Sequence, residues 1–382
     1  MKKLFLLVLM FVFLEQMSTA QNQIKPSTLA KIDSLFAHIN SSTPGYMVGV
    51  VKDGEFLFEK GFGLANLEYK IPIDKHSAFN IASLSKQFTA ACVALLILDG
   101  KVSLEDPITK YVTDFPSYGK KIKIKHLIYM TSGINDYYYN PRENDTDWSS
   151  LHFFDIDTAI AASLGNKNLM YEPGSQWSYS NINFMLLTKV VEKASGRRFS
   201  EFAHQKLFLP LDMTNTFVND DIFQVIPKRV NGYNHRDEEN TNQLMELGYL
   251  PSKGEGFLQI NRNSPHYGGS GIYTNLSDLK KWIVNFQTKE FGGTPFYDLM
   301  HQTMTFEHEK NNDAFGLAFG DFNGHEIVWY EGGDWGFSSY MIRFPKNELT
   351  VVVLSNLGTG NARQYANRLI DIMVDDGCVE LK

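Results

Sequence analysis

The stretch from Phe88 to Leu98 constrains this sequence more than any other. Phe88, Ala90, Ala91, Cys92, Val93, Leu95, Leu96, Ile97 and Leu98 make a helix that is apolar almost all round. Such a helix cannot lie on a surface and has to run through the middle of a large core. Asp99-Gly100 supplies its stop signal.

Immediately ahead of it stands Ser83-Leu84-Ser85-Lys86. A serine one turn before a lysine places a hydroxyl and an amine on one helix face. In a first turn, the hydroxyl oxygen lies at the positive end of the helix dipole, and the amine can take or steer its proton. The spacing recurs in Ser117-Tyr118-Gly119-Lys120 and Ser277-Asp278-Leu279-Lys280. The first of these follows a proline in a glycine-containing turn, and Ser277 reads as an ordinary helix N-cap. Only the Ser83 copy opens a buried helix. Ser83 is therefore the candidate nucleophile and Lys86 its partner.

With 382 residues, 43% of them apolar, the chain has material for one large or two intimate domains. Lys2 and Lys3 precede an apolar run from Leu4 to Leu14, and Ser18-Thr19-Ala20 follows. This is the pattern of a signal peptide over 1–20, cut after Ala20. The run is too short to span a bilayer, and no cysteine sits near the cut to carry a lipid. The expectation is export, periplasmic or secreted, without a stable membrane anchor.

Several function classes drop out. The net charge is −7 and the basic residues are scattered, so no nucleic-acid surface is expected. Lys120 to Lys125 is the one basic cluster, and it reads as a solvated face. The histidines never form His-Glu-x-x-His or a close pair at ligand spacing, so no metal is expected. Gly61-Phe62-Gly63 lacks the third glycine of a dinucleotide loop, and no Gly-x-Ser-x-Gly elbow exists. Cys92 falls within the buried helix and reads as a core residue rather than half of a disulfide with Cys378.

The coarse pattern is α+β. Tyr46 to Val51 and Phe56 to Gly61 flank Lys52-Asp53-Gly54, a strong hairpin signal. Strands return at Glu326 to Tyr330, Ser338 to Phe344 and Leu349 to Ser355, and a helix from Arg363 to Val374 closes the chain. Strands at both ends imply one antiparallel sheet flanked by helices, drawn from 21–100 and 265–382 of a single 21–382 domain. The region from about 101 to 264 is then a mainly helical insertion. Within it, Asn219 to Pro265 is polar and irregular and reads as a long loop rimming a substrate cleft.

Acyl transfer by a Ser-Lys pair needs a second proton handler and donors for the developing oxyanion. Tyr179-Ser180-Asn181, between the turn Glu172-Pro173-Gly174-Ser175 and a helix, supplies candidates for the first. A tyrosine hydroxyl beside a lysine is biased towards phenolate, and Asn181 offers both a donor and an acceptor. Tyr330-Glu331-Gly332-Gly333-Asp334 supplies the second: paired glycines on a strand edge let a substrate lie close to an exposed backbone N–H.

Together these stretches resemble the serine β-lactamase and penicillin-binding-protein superfamily. The nearest branch is that of class C β-lactamases, D-alanyl-D-alanine carboxypeptidases and related esterases. The likeness covers nearly the whole mature chain, including Leu98-Asp99-Gly100-Lys101-Val102-Ser103-Leu104-Glu105-Asp106-Pro107, Met130-Thr131-Ser132-Gly133 and Leu209-Pro210-Leu211-Asp212-Met213. It implies a β-lactamase/transpeptidase-like fold, Ser83 as the acylated nucleophile and Lys86 as its partner. Tyr179 would be general base and acid, and Asn181 a substrate-amide ligand. Gly332 and Gly333 would lie along the substrate, with the N–H groups of Ser83 and Gly333 as the oxyanion hole. No metal or cofactor is implied.

Two positions depart from the pattern. Tyr330, expected with the glycines among the substrate-binding residues, stands where the family usually has Lys or His, and Asp212 replaces a common glycine. The expected function is a serine hydrolase of a small molecule or peptide: a D-amino-acid peptidase, a carboxypeptidase-like enzyme or an esterase. The alternatives are a true class C-type β-lactamase and a non-catalytic penicillin- or peptide-binding module.

Overall fold

The structure, a computed structural model, describes residues 24–137, 149–252, 254–305 and 311–382. The expected signal peptide over 1–20 lies outside them. A six-stranded antiparallel sheet forms the spine. Its order is Ala318–Phe322, His325–Asp334, Phe337–Phe344, Leu349–Ser355, Tyr46–Lys52, Glu55–Phe62. Chain start and chain end therefore meet in the sheet, with Tyr46 opposite Ser355 and Lys52 opposite Leu349. The hairpin turns where expected: Asp53 and Gly54 both take positive φ, +52° and +81°, which glycine adopts without a Cβ penalty.

Alternation along the strands divides two cores. Val351 and Val353 join Val48 and Ile342 on one face, covered by the Pro26–Leu35 and Ala362–Asp375 helices through Ile32, Phe36, Leu369 and Met373. Val352 and Leu354 point the other way, into the larger core with Met47, Met341, Phe88, Leu186 and Trp282. The Lys86–Leu98 helix runs through this larger core, with Phe88 and Leu96 fully buried. Cys92 is buried there as a free thiol, and Cys378 is likewise free.

The 219–265 region is not the irregular loop its polarity suggests. It holds a two-stranded ribbon, Gly232–His235 with Phe257–Ile260, and between them a helix, Glu238–Glu246. Asp237 caps that helix by accepting from the Asn240 N–H at 2.8 Å. Asp212, in place of the family's glycine, adopts φ +57° and pairs with Lys281 at 2.9 Å, so it keeps the left-handed turn.

Candidate active site

Ser83 sits in a tight 3-10 turn, Ala82–Ser85, that leads into the Lys86–Leu98 helix. Ala82 is held at φ +47°, unusual for a residue with a Cβ, and its N–H donates to Asn80 Oδ1 at 3.0 Å. The flanks pin this turn from two sides. Ile81 N–H donates to the Ile272 carbonyl at 3.0 Å, and Ile272 N–H donates to Ser85 Oγ at 3.1 Å. The Gly268–Gly271 loop is thus fixed against the serine.

Three of the expected residues converge on one point. Ser83 Oγ lies 2.6 Å from the Tyr179 hydroxyl, and Lys86 Nζ lies 3.1 Å from the first and 2.6 Å from the second. Asn181 Oδ1 accepts from Lys86 at 2.9 Å, and the Gly269 carbonyl accepts at 2.6 Å. The last partner is one that sequence reasoning missed.

Lys86 is wholly buried. Burial lowers its pKa to about 7, while the negative charge of Asp136 pulls in the opposite direction. Near neutral pH a large fraction of the amine is therefore unprotonated. A neutral amine has two N–H bonds and one lone pair. Asn181 Oδ1 and the Gly269 carbonyl can only accept, so they take the two hydrogens. The lone pair is left for Tyr179 or Ser83, whose hydroxyls can donate. The arrangement thus forms a proton path from serine to phenol to amine.

Asp136 supports this path from behind. Its carboxylate accepts from the Asn181 N–H, from Ser180 Oγ at 3.1 Å and from Ile182 N–H at 3.4 Å. These are groups at the head of the Asn181–Ser195 helix, where a carboxylate is favoured by both capping and the dipole. Tyr179 and Asn181 are thereby held at a fixed helix end.

The glycine pair divides in role. A Cβ on Gly332 would meet Ile81 O and Ser339 Oγ at 2.6 Å and Ser83 N at 2.8 Å, so only glycine lets the strand lie against the serine's backbone. At Gly333 nothing stands within 4 Å, and this residue faces the cleft.

Tyr330 is buried in the larger core and, like Gly332, does not line the cleft. Burial is the main cause holding its phenol well above the ordinary pKa, so it stays neutral. No cation replaces it from the neighbouring strand. Arg343 is buried elsewhere, 2.9 Å from His301 Nε2 and stacked over Phe286.

The cleft has a volume of about 500 Å³ and is lined by Ser83, Tyr179, Asn181, Gly333 and Asp334, and by Asn234, Glu239, Asn240 and Gln243 of the 219–265 region. That region does rim the site, as ordered structure. The two other Ser-x-x-Lys copies are elsewhere. Ser117 is exposed in a 3-10 turn, and Lys280 is tied to Glu55. Ser277 is not the expected N-cap either: Asn275 caps the Leu276–Thr288 helix by accepting from Asp278 N–H at 2.9 Å.

Comparison with known proteins identifies the family. The family model described as Beta-lactamase matches residues 32–374. The chain is 29% identical over 308 residues to Penicillin-binding protein 4* of Bacillus subtilis, covering 79% of this chain and 66% of that one. It is 27% identical over 317 residues to a D-aminopeptidase of Gluconobacter oxydans, covering 82% and 56%. The chain thus spans two thirds or less of these relatives' length. The D-amino acid amidase of Ochrobactrum anthropi superposes with a TM-score of 0.74 at 18% identity, over 92% of this chain and 99% of that one. The fold, the matched residues and these relatives together place the chain in the β-lactamase family.

Proposed function

We propose that this chain is an exported serine hydrolase that cleaves an amide or ester through an acyl-enzyme on Ser83. The observation that carries the reading is the triangle of Ser83, Lys86 and Tyr179, all within 3.1 Å of one another. In acylation, Ser83 Oγ attacks the carbonyl carbon while its proton passes to the Tyr179 oxygen, with Lys86 sharing it. The backbone N–H groups of Ser83 and Gly333 receive the oxyanion. Collapse of the intermediate breaks the bond to the leaving group, which takes the proton back from Tyr179. Water then attacks the acyl-enzyme by the reverse route, releasing the acid and restoring Ser83.

Within this class, D-amino-acid peptides and esters fit better than β-lactams. A cation near the start of the third motif would attract a substrate carboxylate; here that position is Tyr330, buried outside the cleft, and no lysine or arginine lines the cleft among the described residues. Loss of a charge-assisted bond amounts to about 1 kcal/mol, roughly tenfold in specificity. Neutral substrates lose nothing. The basic start and apolar run of residues 2–14 support export. N-terminal sequencing of the secreted or periplasmic protein should begin after Ala20.

The test is a substrate panel of D-Ala-D-Ala peptides, nitrocefin and short p-nitrophenyl esters, read beside Ser83→Ala. Turnover of an ester or D-peptide, lost in the variant, is expected. Covalent labelling of Ser83 with no turnover of any member would instead identify a penicillin- or peptide-binding module.

A further inference from the structure

The cleft walls carry acceptors and negative charge in excess of any cation. Among the described residues lining it there is no lysine or arginine, and Lys86 stands behind the serine. Asp334 is already satisfied. It accepts from Asn80 at 3.1 Å, Ser150 at 2.6 Å and Trp335 N–H at 2.9 Å, and Arg262 matches its charge at 3.2 Å. Glu239 is different. It is exposed in the first turn of the Glu238–Glu246 helix, and among the described residues it has no ion-pair partner and its side chain accepts one hydrogen bond, from Gln243 Nε2 at 3.5 Å.

His266 adds a second, independent feature. Only 6% of it is exposed, yet it lines the same cleft. Its Nδ1 lies 2.6 Å from Ser264 Oγ, and that hydroxyl donates its own hydrogen to the Phe154 carbonyl at 2.7 Å. Ser264 can then only accept from the ring, which fixes the proton on Nδ1 and leaves a lone pair on Nε2. No described residue donates to that lone pair. The ring is locked by stacking on Phe154, at 4.7 Å between centroids and 16° between planes. Burial, with Arg262 and Lys86 nearby, lowers the imidazole pKa well below its usual value, so it remains an acceptor at neutral pH.

We propose that Glu239 and His266 make this cleft selective for substrates carrying a protonated amine, over neutral ones and above all over carboxylates. Glu239 supplies the charge, and His266 Nε2 supplies a directed acceptor for an ammonium hydrogen. The inference rests on the hydrolase reading above. It goes beyond the absence of a carboxylate cation at Tyr330 by assigning a positive preference.

The test compares D-alanine methyl ester with its N-acetyl and N-succinyl derivatives by pH-stat, at a pH where the free amine is protonated. Wild type should rank them amine, acetyl, succinyl in kcat/KM. Glu239→Gln, a change on an exposed helix, should narrow the amine-to-acetyl ratio about threefold to fivefold. Added salt should narrow the wild-type ratio and leave the variant's ratio nearly constant. His266→Phe keeps the stack and loses the acceptor, and it should lower the amine substrate more than the acetyl one. An amine-to-acetyl ratio unchanged in Glu239→Gln overturns the proposal while the hydrolase stands. Inactivity on all three esters, together with an unlabelled Ser83, overturns the hydrolase reading and this proposal with it.

Discussion

Lys86 Nζ lies 2.6 Å from the Tyr179 hydroxyl, closer than to the serine it shares a helix face with, at 3.1 Å. The tyrosine oxygen therefore stands where a proton relay between serine and amine would stand. Tyr179→Phe leaves a half-buried ring in place and removes only the relay oxygen. It should cut the acylation rate by roughly 10²- to 10⁴-fold, with an unchanged circular dichroism spectrum. Stopped-flow acylation measures this, and a near-normal rate would reduce the tyrosine to packing.

Ser83 should be the single serine acylated among the three Ser-x-x-Lys copies. Fluorophosphonate treatment followed by peptide mapping is expected to place the adduct on Ser83, with Ser117 and Ser277 unmodified. Ser117 and Ser277 have no neighbouring phenol–amine pair of this kind among the described residues. Since Asn275 is the cap of the Leu276–Thr288 helix, Asn275→Ala should cost about 1 kcal/mol in chemical denaturation. Ser277→Ala should cost less.

The pH dependence follows from Lys86. Its pKa is lowered to about 7, and the productive form is the neutral amine. Acylation should rise with pH through about 7 and then level. Stability takes the same sign, because the folded chain binds fewer protons than the unfolded one between about 7 and the ordinary lysine value. The contribution of this group to folding therefore improves as pH rises across that window and is flat below it. Asp136 raises the amine's pKa, so Asp136→Asn should move the acid limb of the rate profile to lower pH. It should also cost about 1 kcal/mol from the weakened helix cap. A stationary limb in the variant would show that Asp136 acts through the helix end alone.

The site residues legible in sequence were those whose chemistry is carried by short runs. Ser83 and Lys86 are one turn apart at a buried helix, and Tyr179 and Asn181 share one turn-to-helix junction. The residues that were not legible act across long separations. Asp136 caps a helix that begins at Asn181, and the Gly269 carbonyl reaches Lys86 through a loop folded back on Ile272. No local pattern encodes either. The Glu238–Glu246 helix was missed for a different reason. Its buried face is Asn240 and Leu244, an i, i+4 pair with a single apolar member, so the segment is polar on average and reads as loop despite its helical spacing.

The two glycines should separate cleanly on substitution. Gly332→Ala forces a Cβ onto Ile81 O and Ser83 N and should cost roughly 1–3 kcal/mol, together with most of the acylation rate. Gly333→Ala meets open space and should melt within about a degree of wild type, with its effect confined to kcat/KM. Differential scanning calorimetry beside the labelling rate distinguishes the two. Equal destabilisation would contradict the fit of Gly332 against the serine turn.

That fit also bears on when the protein becomes reactive during its own synthesis. Ser83 is made early, but the strand that lies on its backbone arrives about 250 residues later, and the first strand, beyond its own hairpin partner, pairs with the last. Contacts of such separation form late and slowly. A chain still being made, or one cut short before residue 332, lacks the Gly333 N–H that would stabilise an oxyanion and the wall that holds the serine turn in place. Its serine keeps Lys86 and Tyr179 in the chain but lacks a complete oxyanion hole, so acylation should stay slow until the sheet closes. Chemical competence in this molecule reports completion of the fold, and a covalent probe of Ser83 can serve as a clock for the closing of the sheet.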